Sequence, residues 1–197
     1  MDYSKVSDAG SYIKSNIYDF LEASQRTVFA VDCENSDPYK FCAVLQGLDS
    51  EKRSRISKII LYDDVHSASA WKMLDTFTSI PVEHILIERV KHNKSLVDIS
   101  LTAGTCREFY QNNVDSFVLV SSDSDYWALI SSIPEAKFLV MVEHGKVSPA
   151  IKAALVRSGI FYCYIDDFYS GNCNDIKLQA LFNVMNGHLK EAIHLKM

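Results

Sequence analysis

The chain predicts an α/β protein with three α/β/α layers around a mostly parallel, doubly wound sheet. Three observations predict it. Short runs such as Val28-Phe29-Ala30-Val31 and Phe117-Val118-Leu119-Val120 are wholly apolar, the pattern of strands covered on both faces. These runs alternate with segments of helical periodicity, as parallel strands joined by crossover helices require. Aspartates close two of the runs: Asp32 ends the first, and Asp123 and Asp125 follow the other.

Each element follows from local pattern. Residues 6–23 carry apolar side chains at Tyr12, Ile13, Ile17, Tyr18, Phe20 and Leu21, the spacing of an amphipathic helix. Strand one is 27–31. Asp37-Pro38 places an N-cap before a proline, so a helix starts there. Strand two covers 58–62, a helix 68–77 and strand three 82–87. A helix runs from 95 to about 110, and strand four covers 117–120. A short helix occupies about 125–131, followed by strand five at 138–142. The next helix, 149–156, has Pro149 near its start and Gly159 past its end. Strand six is 160–165, and 175–195 reads as a closing helix. Right-handed crossovers then favour the order 3-2-1-4-5. The domain division is a helical lead-in at 1–26, a core domain at 27–168 and a C-terminal helix packed on it at 169–197.

At 197 residues with 48% hydrophobic content, one domain with a sizeable core is expected. No apolar run approaches the ~20 residues of a membrane span, and the N-terminus lacks signal-peptide character, so a cytoplasmic protein is expected. The five cysteines (Cys33, Cys42, Cys106, Cys163 and Cys173) form no C-x-x-C pair, which favours reduced thiols over a zinc site. A net charge of −5 argues against broad coating of nucleic acid. A local basic rim is still available in Arg89, Lys91, His92 and Lys94.

In the order 3-2-1-4-5, strands one and four are neighbours at the point where winding reverses, and ligands of such sheets bind there. Asp32 and Asp123 sit at those two strand ends. Asp125 is adjacent, and Asp98 starts the helix leading into strand four. Four carboxylates at one point repel each other unless a divalent cation neutralises them. Mg²⁺ and Mn²⁺ favour oxygen ligands, and a bound ion supports phosphodiester hydrolysis by supplying hydroxide and stabilising charge on phosphate. Lys94 shares a helical face with Asp98 and could pair with a phosphate or with Asp98 itself. Asn35, three residues after Asp32, could orient a water or fix the turn.

Each acid also has a plain structural use. Ser95-Leu96-Val97-Asp98 and Ser122-Asp123-Ser124-Asp125 have capping-box spacing, and Asp32 could accept turn hydrogen bonds. Other chemistries lack their residues. There is no G-x-x-x-x-G-K-[ST] loop, and no G-x-G-x-x-G follows strand one. A nucleotide-sugar reading of Asp123-Ser124-Asp125 leaves Asp32 and Asp98 without a role.

Three segments together resemble the NYN family, a branch of the PIN-like nuclease fold. Val31-Asp32-Cys33-Glu34-Asn35 is similar to its D-x-x-N after strand one. Lys94-Ser95-Leu96-Val97-Asp98 resembles its K-x-x-x-D helix start. Val118 to Tyr126 is similar to its apolar-S-x-D-x-D-aromatic segment. The stretches Val147-Ser148-Pro149 and Tyr164-Ile165-Asp166-Asp167-Phe168 resemble its last helix and strand, so the resemblance covers roughly 27–168. It implies a metal-dependent endoribonuclease. Asp32, Asp98, Asp123 and Asp125 would carry Mg²⁺ or Mn²⁺, and Asn35, Lys94 and Ser121 would line an RNA site. The acidic balance motivates an alternative, a non-catalytic module binding RNA or protein. A third option is DNA or flap cleavage, because the acids do not themselves read the 2′-hydroxyl. The terminal helices could serve a homodimer or a protein partner, or pack on the sheet.

Overall fold

The computed structural model describes residues 10–65, 70–88 and 96–168, with side chains from Ser15 onward. The predicted closing helix at 175–195 and the basic stretch from Arg89 to Lys94 lie outside the described residues.

Six strands form one sheet in the order β3-β2-β1-β4-β5-β6. They are β1 (Thr27–Asp32), β2 (Ile56–Asp64), β3 (Val82–Ile87), β4 (Ser116–Val120), β5 (Lys137–Val142) and β6 (Phe161–Tyr164). Every pairing is parallel. The predicted order therefore holds, with β6 added at the far edge. The central strands are buried along their whole length, which is why their sequences are continuous apolar runs.

The helices are α1 (Gly10–Glu22), α2 (Pro38–Gly47), α3 (Ser50–Ser54), α4 (Leu74–Phe77), α5 (Val97–Asn112), α6 (Trp127–Ser132) and α7 (Pro149–Arg157). Alternation along β1 assigns two of them to opposite faces. Phe29 meets Phe41 of α2, and Phe41 meets Trp71, with ring centroids 6.0 and 6.1 Å apart. Ala30 and Asp32 point the other way, as does Tyr62, the register partner of Asp32. Tyr62 lies against Gly104 of α5. Helix α1 lies along β6, and Asn16 Nδ2 donates to the Tyr162 carbonyl at 2.8 Å.

Side-chain caps mark the starts of α2, α3 and α7. Asp37 accepts from the Tyr39 and Lys40 N–H groups with Pro38 at the first helical position, as the sequence predicts. Ser148 caps α7 in the same way, and Gly159 follows it at φ +67°. Some boundaries differ. Asp49 caps the short α3, which the sequence reading left out. The expected helix at 68–77 is, over the described part, a 3-10 turn at Trp71–Met73 and the four-residue α4. Neither has a side-chain cap, and Trp71 Nε1 is committed to the Cys33 carbonyl at 3.3 Å. β2 runs on to Asp63 and Asp64, both buried.

Gly104 is required by close approach. A Cβ there would fall inside contact distance of Tyr62 Oη and 2.8 Å from Tyr62 Cζ. Both groups are locked in the α5–β2 contact, so overpacking of this kind costs ~1–3 kcal/mol. Gly104→Ala is expected to lower the urea midpoint accordingly despite alanine's better helix propensity. A variant as stable as the parent would show that α5 can shift.

Candidate functional site

The site forms where β1 and β4 end side by side, paired from Thr27↔Ser116 to Val31↔Val120. β2 lies on the other side of β1. The loops after β1 and β4 therefore diverge to opposite sides and leave a cleft at their carboxyl ends.

Asp32 sits at its base, fully buried. Its Oδ1 accepts the Glu34 and Asn35 backbone N–H groups, each at 3.2 Å. Its Oδ2 accepts Asn35 Nδ2 at 2.9 Å and the Ser121 hydroxyl at 2.8 Å. Burial pushes its pKa above the ordinary carboxylate value. The Asn35 and Ser121 hydrogen bonds oppose that rise, and the Asp98 charge adds to it.

Two hydroxyls tie Asp32 to the other predicted acids. Ser121 donates to Asp32 and accepts the Asp123 N–H at 3.1 Å. Tyr126, buried after β4, donates to Asp98 Oδ1 at 2.8 Å and also reaches Asp32. Burial and the two carboxylates raise its pKa, so it stays a neutral donor. Asp98 lies on the first turn of α5 and is half-buried. The capping position of α5 is Leu96, with no side-chain cap bond. The Asp98 carboxylate thus meets Tyr126. Asp123 caps the 3-10 turn Ser124–Tyr126, accepting the Asp125 N–H at 3.0 Å, and Asp125 is exposed. Lys94 lies outside the described residues.

The sequence reading missed several residues at this rim. Tyr126 was legible only as the aromatic of a motif. Lys146, after β5, donates to Glu143 Oε1 at 2.8 Å and to the Asn35 carbonyl at 3.4 Å. Lys40 bridges Glu143 and Asp166, and Ser122 Oγ accepts the Glu143 N–H at 2.8 Å. Burial would lower the Lys40 pKa, but hydrogen bonds from its ammonium to Asp166 and Glu143 hold it above the usual lysine value. Asp63, next to last in β2 and on the opposite face from Tyr62, meets His84 Nε2 at 3.1 Å. The available signal was that β2 and β5 also end at this edge, so polar residues following them belong to the same surface.

The donor chemistry is that of hard carboxylate oxygens, which fit Mg²⁺ or Mn²⁺. Among the described residues, no three His, Cys, Asp or Glu side chains stand together in ligating geometry. Asp32 already receives four protein hydrogen bonds besides the approach of the Tyr126 hydroxyl, about the full acceptor capacity of a carboxylate.

The sequence pattern of the NYN domain matches residues 24–158, most of the chain. The chain belongs to the NYN domain family. This NYN domain is accordingly a PIN-like, nuclease-type domain, a class that typically works with divalent metal ions. A crystal structure of a Vibrio parahaemolyticus protein of unknown function is similar, with a TM-score of 0.50 at 16% identity. The match covers 74% of this chain and 96% of that one, and shows a shared fold. No curated protein matches the chain. Among the described residues, no helix is long and apolar enough to cross a membrane.

Two predictions test the site's electrostatics. Because the folded-state pKa of Asp32 is raised, the folded NYN domain binds its proton more tightly than the unfolded chain. Ionised Asp32 therefore costs stability, increasingly as pH rises above the ordinary carboxylate value. In chelator, the melting temperature of Asp32→Asn relative to the parent should be higher at pH 7 than at pH 4. A difference that does not change with pH would remove the burial penalty. Tyr126→Phe deletes a buried donor to a carboxylate and should cost ~1.5–3 kcal/mol in urea unfolding. An unchanged midpoint would show that the hydroxyl contributes nothing to holding Asp98.

Proposed function

We propose that this NYN domain is a Mg²⁺- or Mn²⁺-dependent endoribonuclease that hydrolyses RNA phosphodiester bonds at the Asp32 cleft. The observation that carries the reading is the hydrogen-bonded chain Asp98–Tyr126–Asp32–Ser121–Asp123 at the switch point. It gathers acids from β1, α5 and the loop after β4 around one cleft, as the family resemblance implies.

Asp98, Asp123 and Asp125, all at least partly exposed, would hold the ion together with Asp32. When bound, the ion supplies hydroxide near neutral pH and offsets charge on phosphate. Asp32 would orient the attacking water from beneath, kept in one position by Asn35 and Ser121. Asn35 and Ser121 would line the substrate side together with Lys94. Lys146, held to the Asn35 carbonyl and paired with Glu143, lies beside the same turn.

A second reading is a binding module that keeps the fold without cutting. It is favoured by the absence of a ligating trio among the described residues and by the saturation of Asp32. A cleavage assay on a labelled mixed-sequence RNA with a stem-loop separates the two. With Mn²⁺ or Mg²⁺ the parent should cut, chelator should abolish cutting, and Asp32→Asn should lower the rate by at least ~100-fold, the scale of a lost acid–base group. Well-folded parent protein that neither cuts nor takes up Mn²⁺ in calorimetry would overturn the nuclease reading.

A further inference from the structure

The amino edge of the sheet, opposite the Asp32 cleft, holds a cavity of about 660 Å³. It opens below the starts of β5 and β6, between α1 and α6. Phe20 and Ala23 of α1 line it, with Trp127 and Ile130 of α6, Phe138 of β5 and Phe161 of β6. Phe161 is 50% exposed. Phe161, left half-exposed at the mouth of an apolar cavity of this size, marks a place where another apolar group binds.

The candidate occupant begins close by. The described chain ends at Phe168, whose ring packs on Tyr18 of α1 with centroids 6.4 Å apart. Asp19 and Phe20, the next residues of α1, line the cavity. Residues 169–197 follow in the sequence. They carry Leu178, Leu181, Phe182, Met185, Leu189 and Ile193 at spacings of three and four, one apolar stripe if helical. Nine residues, 169–177, reach at most ~30 Å when extended, enough to round α1. A tethered segment also outcompetes a separate molecule, because its effective concentration is of millimolar order.

We propose that the chain's own C-terminal segment seats this apolar stripe in the cavity between α1 and α6. The cavity is then an intramolecular docking site that joins both helical layers beneath β5 and β6. This assignment is independent of the nuclease reading, because the cavity lies at the opposite edge of the sheet.

Photo-crosslinking of the full chain tests it. The photoreactive p-benzoylphenylalanine, placed at position 161, should crosslink within the monomer to peptides from 169–197. Phe182→Asp in the same chain should reduce that yield several-fold. A crosslinked dimer would assign the cavity to a second copy, and a folded monomer without crosslinks to 169–197 would leave the segment elsewhere; either result overturns the proposal. Hydrogen exchange of the otherwise unmodified chain gives a second readout. Phe182→Asp should speed exchange in 127–133 and 158–161, and unchanged protection there would equally refute the docking.

Discussion

The site depends on how one buried carboxylate is held. Asp32 is the last residue of β1, with no exposed surface and with a second acid, Asp98, close enough to raise its pKa. An ionised group so placed persists only with dedicated partners. The chain provides them from two directions. The turn after β1 contributes two backbone N–H groups and the Asn35 amide, while Ser121 reaches across from β4. The β1–β4 pairing is therefore more than a core contact: it brings together the donors that keep Asp32 in place. Any slip of register between these strands would separate Ser121 from Asp32.

Much of this arrangement was legible in the sequence, for identifiable reasons. Parallel strands buried on both faces leave an unmistakable apolar signature, so β1, β4 and β5 were read at nearly their observed positions. Proline-marked caps identified α2 and α7. The strand order followed from crossover handedness, and it is what placed Asp32 beside Ser121 and Asp123. Elements stabilised by single tertiary contacts were harder to see. The Trp71 turn depends on the Cys33 carbonyl, and α3 depends on one aspartate cap. The extent of β2 was underestimated because Asp63 and Asp64 read as loop residues, yet both are buried. Tyr126 and Lys146 were missed as site residues because their roles exist only after β4, β5 and α5 have come together.

The rim is organised differently from the base. At the base, neutral hydroxyls and amides partner the acid. At the rim, lysines do: Glu143 is shared by Lys40 and Lys146, and Asp166 binds Lys40 and the His144 N–H. These partners come from α2, the loop after β5 and the 3-10 turn Ile165–Phe168, three segments that are remote in sequence. The network thereby couples the walls of the cleft through lysines whose charge is balanced by Glu143 and Asp166.

The contact between Asn16 and the Tyr162 carbonyl has a consequence for colloidal behaviour. β6 is an outer strand, and outer strands present unpaired backbone groups that can recruit strands from other molecules. Helix α1 lies over that border, and Asn16 occupies one of its acceptors. The opposite border, β3, carries Glu83 and His84 instead, and charge discourages such pairing. The two borders are thus shielded by unlike means, one by a covering helix and one by its own side chains. Without α1, β6 would lose that cover and present its backbone groups to strands of other molecules.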